Sequence, residues 1–176
     1  MTQVIRRHSV PIPGVLGVID MLRERGLSIG SCTGYPRSVG EQLAERAREY
    51  GYCPDVLVCA TDVPRSRPEP DMCLKVLADL GIGNPSFAVK IGDTVQDVLE
   101  GVRAGMWVVG VTLTGSMAGM TEDELSSLSE IDKWQLHQRI SDELTEAGAH
   151  FTAIDLPSCV EALYYIDRLC QNKYKP

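Results

Sequence analysis

Ile91-Gly92-Asp93-Thr94-Val95-Gln96-Asp97 follows a short apolar run, Phe87-Ala88-Val89-Lys90-Ile91. The two stretches together decide the fold. The run reads as a strand of 87–91, and a helix is predicted to open at Thr94 or Val95, with Asp93 or Thr94 placed to cap it. Gly92 is read as the residue that lets the backbone turn sharply. Asp93 then stands at the carboxyl end of a strand, where open α/β sheets bind their ligands. Asp97 stands one helical turn later and is predicted to face the same crevice. Two carboxylates in one crevice suit a hard divalent cation such as Mg²⁺, which binds phosphates through few protein ligands. A helix cap at 93–94 with a solvated Asp97 is the plainer alternative.

Outward from this segment, extended and helical patterns alternate, the mark of a parallel sheet wrapped by helices. Helices are predicted for 14–25, 37–50, 69–80 and 95–104, and strands for 27–32, 55–59, 87–91 and 106–111. A loop rich in Gly and Met covers 113–120, and Thr121 opens a capping-box pattern with Glu124. A helix of 131–147, a strand of 150–154 and a helix of 157–169 follow, and the tail from Gln171 is expected to fray. The 176 residues are read as one domain.

Composition limits the function classes. The net charge of −7 disfavours a nucleic-acid or anionic-membrane partner, since such binding needs a basic face. A small phosphorylated ligand held by a local cation remains compatible with it. No apolar run approaches the ~20 residues of a membrane span, and the first nine residues hold no signal-peptide core. The six cysteines (32, 53, 59, 73, 159 and 170) form no CxxC pair and no zinc spacing. They are read as reduced thiols of a reducing cytosolic or organellar interior, with the cytoplasm as the expected location. His8, His137 and His150 match no triad or metal pattern and are read as surface or capping residues.

Three loops, each following a strand, bring polar groups to one sheet edge. In Gly30-Ser31-Cys32-Thr33-Gly34-Tyr35 a hydroxyl and free backbone N–H groups precede a helix, forming an anion cradle or simply a cap with a tight turn. In Asp62-Val63-Pro64-Arg65-Ser66-Arg67-Pro68, Arg67 is placed to point its planar fork at a phosphoryl oxygen, unless it is only solvated. The third group is the Asp93/Asp97 pair. Hydroxyl, cation and acid pair, in that order, make a phosphoryl-transfer constellation. Neither G-x-G-x-x-G nor G-x-x-x-x-G-K-[ST] occurs, which argues against a nucleotide domain, and the loop around Arg67 argues against a receiver-like fold.

This order resembles the haloacid dehalogenase-like hydrolases, and among them phosphonoacetaldehyde hydrolase. The resemblance is carried by residues 29–35, 62–68 and 90–97, by Ala104-Gly105-Met106-Trp107-Val108-Val109-Gly110-Val111, and by Glu146-Ala147-Gly148-Ala149-His150-Phe151. It runs from about Pro11 to about Leu163. It implies a Rossmann-like, three-layer α/β fold, a parallel sheet with helices on both faces. It also implies Mg²⁺-assisted cleavage of the carbon–phosphorus bond of phosphonoacetaldehyde to acetaldehyde and phosphate. Carried over by position, Thr33 binds phosphate through its hydroxyl and Gly34 through its N–H. Tyr35 lies beside the substrate, Arg67 is the cationic group, Asp93 ligates the metal, and Asp97 orients the metal or its waters. Thr33, Arg67 and Asp97 are thus the catalytic candidates and Asp93 and Asp97 the metal candidates.

The family's nucleophilic aspartate lies on an N-terminal strand, and its Schiff-base lysine in a cap inserted before the strand that ends at Thr33. Neither segment is found in residues 1–176. Lys75, Lys90, Lys133, Lys173 and Lys175 all lie downstream of the place for that lysine, and Asp20 and Asp55 fit no nucleophile motif. The first central strand and the cap are therefore expected to be missing, leaving a gap or a rearranged pairing beside the strand of 27–32. The chain alone is expected to be inactive, and a homodimer or pairing with an intact paralogue is the expected assembly. A non-catalytic phosphate-binding or assembly module derived from the family is the alternative.

Overall fold

The computed structural model describes residues 9–176; Met1 to His8, including one of the three histidines, lie outside the described residues. The chain divides into two compact units, Met1–Gly83 and Asn84–Pro176.

The first unit contains α1 (Val15–Glu24), β1 (Gly30–Thr33), α2 (Arg37–Glu49), β2 (Val56–Cys59), a 3₁₀ turn (Ala60–Asp62) and α3 (Asp71–Asp79). β1 and β2 pair in parallel, from Gly30 against Val56 to Thr33 against Cys59. Successive strand side chains point to opposite faces. Val58 meets Met72 and Val76 of α3, while Cys59 faces Gly40 of α2. The sequence predicted longer strands, 27–32 and 55–59. The difference has a local cause, because Asp55 turns its side chain onto the adjoining chain. Its Oδ2 accepts the Ile29 N–H at 2.7 Å, while its own N–H donates to the Ile29 carbonyl at 2.8 Å.

The second unit contains a 3₁₀ turn (Pro85–Phe87), β3 (Val89–Gly92), α4 (Val95–Arg103), β4 (Trp107–Val111), a 3₁₀ turn (Ser116–Ala118), α5 (Glu122–Ser127), α6 (Glu130–Glu146), β5 (Phe151–Ala153) and α7 (Cys159–Gln171). The sheet is parallel, in the order β3-β4-β5. All five residues of β4 are buried, as a central parallel strand covered on both faces requires. Val108 joins Val98, Ile140 and Leu144 on the α4/α6 face; Trp107, Val109 and Val111 join Cys159 and Ile166 on the α7 face. β3 starts two residues later than predicted because Asn84 accepts the Ser86 N–H and folds Pro85–Phe87 into a turn, leaving Phe87 70% exposed. The capping box at Thr121 forms, and a second cap at Ser129 starts α6 separately. Past α7, Lys173 and Tyr174 still donate to the Cys170 and Leu169 carbonyls.

The architecture is α/β with parallel sheets, as the sequence implied. Among the described residues the strands form two sheets, not one. β1 has β2 as its partner and β3 has β4, so each keeps one edge without a strand. No helix is long and apolar enough to cross a membrane. All six cysteines are free thiols. Burial raises the Cys59 pKa and pushes that of Cys159 up to about 12, so both sit as small neutral apolar groups.

Candidate functional site

In the first unit the site residues lie at the carboxyl ends of β1 and β2. Thr33 closes β1, and its Oγ1 accepts the Tyr35 N–H at 3.3 Å, a tight turn of the kind short hydroxyl side chains make. Gly34 is exposed, and a Cβ built on it would meet nothing within 4 Å. Tyr35 is 54% exposed, while its carbonyl accepts the Ala60 N–H at 3.1 Å. Arg67, half-buried, sends Nη2 to the Cys32 carbonyl at 3.2 Å, which brings its guanidinium to the end of β1 one residue before Thr33. Thr33 and Arg67, 34 positions apart in sequence, are thus gathered at one strand end.

The turn after β2 is set by Asp62. It pairs with Arg37 through both carboxylate oxygens and accepts the Cys59 N–H at 2.7 Å. The Arg37 hydrogen bond, opposed by burial and helped by the Cys59 N–H, holds the Asp62 pKa below the usual carboxylate range. The Arg37 fork also reaches the Leu57 carbonyl at 3.2 Å, tying α2 to β2.

In the second unit, Asp93 follows directly on β3, and Thr94 caps α4 by accepting the Asp97 N–H at 3.1 Å. Of the two caps the sequence allowed, Thr94 is therefore the one formed. Asp97 is 4% exposed; its Oδ2 accepts the Thr94 hydroxyl at 2.5 Å and its Oδ1 lies 3.4 Å from Lys90 Nζ. Lys90, 8% exposed, also pairs with the fully buried Glu100 at 2.8 Å. Both oxygens of Asp97 are engaged by protein groups, so it is neither solvated nor an open ligand. Asp93 is less enclosed: its Oδ2 accepts the Ser116 N–H at 2.6 Å, and Oδ1 is the oxygen turned to no hydrogen-bond donor among the described residues.

Gly92 is required for a reason other than the one its sequence position suggested. Its φ is not left-handed; instead, a Cβ there would fall 2.3 Å from Asp97 Cβ. The same holds across the site at Gly115, whose Cβ would fall 2.6 Å from Asp93 Cβ. Each acid of the pair lies against a glycine.

For a divalent cation, the donor set fits in part. Asp93 offers one oxygen in a fixed orientation, a suitable hard ligand. Asp97, held by Thr94 and Lys90, is suited to fixing the start of α4 behind that ligand, the kind of support on which metal sites depend. Sequence reading passed over Lys90, Glu100, Gly115 and Ser116. A signal was available for the first two: a lysine inside an apolar strand, and two acids spaced i, i+3 on the helix that follows it. No signal in the sequence pointed to the Ser116 N–H, which is a backbone group.

The two described histidines are half-buried. His137 meets the Thr112 hydroxyl at 2.8 Å, and since that hydroxyl donates to the Ala153 carbonyl, His137 Nδ1 carries the hydrogen. His150 Nδ1 accepts the Val108 N–H at 3.1 Å, and burial lowers its pKa.

Comparison with known proteins gives a consistent result. The haloacid dehalogenase-like hydrolase family model matches residues 2–105. The chain is 41% identical over 176 residues to a phosphonoacetaldehyde hydrolase of Syntrophobacter fumaroxidans, all of this chain against 64% of that protein. It is 40% identical over 165 residues to a phosphonoacetaldehyde hydrolase of Bacillus cereus, 94% of this chain against 62% of that one. The crystal structure of a phosphonoacetaldehyde hydrolase-like protein from Oleispira antarctica superposes with a TM-score of 0.96 at 34% identity, over 99% of this chain and 63% of that one. The chain thus spans a little under two thirds of the length of these relatives.

Proposed function

The chain belongs to the haloacid dehalogenase-like hydrolases, and from that premise we propose that it is the phosphate- and metal-binding core of a phosphonoacetaldehyde hydrolase-like protein. The observation that supports this most is the gathering of Thr33 and Arg67 at the end of β1, in a chain similar to phosphonoacetaldehyde hydrolases along its whole length.

In this reading residues 1–176 are a single core domain of the family. Thr33 Oγ1 and the Gly34 N–H donate to phosphoryl oxygens, and the open space around Gly34 leaves room for them. Arg67 supplies positive charge where negative charge builds up on the phosphoryl oxygens, and Tyr35 lines the substrate. Asp93 holds Mg²⁺, and Asp97, through Thr94 and Lys90, keeps the first turn of α4 in place behind it. Mg²⁺ when bound would neutralise charge on the phosphoryl group. The family reaction also needs a nucleophilic aspartate and a Schiff-base lysine. Among the described residues no acid other than Asp93 directly follows the end of a strand, and Lys90 is committed to Asp97 and Glu100. Residues 1–176 by themselves are therefore proposed to bind phosphate and Mg²⁺ without turnover. A reducing cytoplasm suits the six free thiols. A second copy or an intact paralogue is the proposed partner.

The test is thermal melting of the 176-residue polypeptide with inorganic phosphate and with Mg²⁺, together with an assay for acetaldehyde release from phosphonoacetaldehyde. A rise in Tm with each ligand and no acetaldehyde is expected. A Tm indifferent to both ligands removes the binding reading, and measured acetaldehyde release removes the claim of inactivity.

A further inference from the structure

We infer that Gly115 is a positioning residue for Asp93: the bare backbone of residues 115–116 sets which carboxylate oxygen is offered outward. The segment hangs from the end of β4 and is fixed there. Thr112, Leu113 and Thr114 donate their N–H groups to the Ala153 and Ile154 carbonyls at 2.9, 3.0 and 3.2 Å. The Thr112 hydroxyl also donates to Ala153 and accepts from His137 of α6. From this anchored stretch the Ser116 N–H reaches Asp93 Oδ2 at 2.6 Å.

The conformation of Gly115 does not call for glycine. At φ −89° and ψ 166° any residue is accommodated. Space is the constraint: an added Cβ would lie 2.6 Å from Asp93 Cβ and 2.8 Å from the Val111 carbonyl. The carbonyl belongs to a fully buried strand and cannot withdraw. A methyl group here therefore displaces Asp93, and the Ser116 hydrogen bond that orients its carboxylate is lost with it.

The inference rests on the reading of Asp93 as the metal ligand only for its effect on Mg²⁺, and two experiments separate them. The first is Mg²⁺ titration by calorimetry. Gly115→Ala is expected to weaken binding about tenfold, the usual scale for loss of a group that orients a metal ligand. Ser116→Pro is expected to weaken it several-fold, because it removes only the N–H and Gly115 already has the extended backbone that a following proline needs. Ser116→Ala, which keeps the N–H, is expected to leave it unchanged. The second experiment is a thermal double-mutant cycle without metal. The Tm loss caused by Gly115→Ala should shrink in an Asp93→Gly background, where the Asp93 clash is gone and only the Val111 carbonyl contact remains. Mg²⁺ affinity equal to that of the parent chain in Gly115→Ala, or a Tm loss that is the same with and without Asp93, overturns the inference. If the parent chain takes up no Mg²⁺, the ligand reading of Asp93 fails and the cycle alone decides the role of Gly115.

Discussion

The strand end after β1 and the strand end after β3 carry the two halves of the proposed chemistry, and they are built in opposite ways. After β1 the groups are lightly held. Tyr35 is mostly exposed, Gly34 faces open space, and Thr33 Oγ1 is engaged by one N–H. After β3 everything is seated. Each acid lies against a glycine, Asp97 is engaged at both oxygens, and a buried lysine joins two buried carboxylates. The difference teaches that an anion cradle of backbone N–H groups needs openness, whereas a carboxylate that must present one chosen oxygen needs walls.

That contrast breaks most easily at Lys90. Lys90→Met takes from the buried Asp97 and Glu100 a cation that they share, and breaking a buried pair by removing one partner costs about 3–5 kcal/mol. Urea unfolding of the second unit should show it; a loss of the order seen for surface ion pairs would mean that the triad is solvated and the seat is not closed.

A smaller loss is expected at Asp62, the acid that sets the turn after β2 in the first unit. Asp62→Asn gives up a forked pair with Arg37, itself 40% exposed, and should cost about 1–2 kcal/mol. The pH dependence has a definite sign. The folded-state pKa of Asp62 is depressed, so its contribution is complete above the ordinary carboxylate value and is lost as pH falls through the lower folded value. Asp62→Asn should flatten that acid limb, and an acid limb identical to that of the parent would show that Arg37 gives Asp62 no preference for its charged form.

His150 acts at higher pH and more weakly. Its folded pKa is lowered by burial, so the unfolded chain binds the proton first. Stability is full above the unfolded value and declines as pH drops from about 6.5 towards the folded pKa. The proton also removes the acceptor for the Val108 N–H. His150→Gln should abolish this step in a melting series between neutral and mildly acid pH.

The smallest effect on stability is expected at the open half. Thr33→Val should change stability by less than about 0.5 kcal/mol, as surface substitutions do, while weakening inorganic phosphate binding several-fold. A large stability loss there would show that the cradle is walled like its counterpart.

Legibility followed the same division. Local chemistry was readable: alternating apolar runs gave the α/β order, Thr94 and Thr121 gave caps, and the positions of Thr33 and Asp93 at strand ends were visible. What depends on long-range packing was not. Strand lengths shrank where Asp55 and Asn84 bonded to neighbouring backbone. The burial of Asp97 follows from Lys90, which reads as an ordinary lysine until the strand and helix are placed together. Gly92 suggested a turn by its type, yet its constraint is the side chain above it, which no single-residue rule exposes.

β4 is covered on both faces, paired on both edges, and buried at each of its five residues. Amide protons of such a strand open only with the whole cooperative unit, so Val108 and Val109 should be among the last to trade hydrogen for deuterium. The Ser116 N–H that steadies Asp93 lies only five residues past the end of that strand, on a stretch bonded to the Ala153 and Ile154 carbonyls. The loop around Asp93 therefore inherits the slow clock of the core, and its exchange rate gives a readout, free of any ligand, of how firmly the carboxylate is aimed.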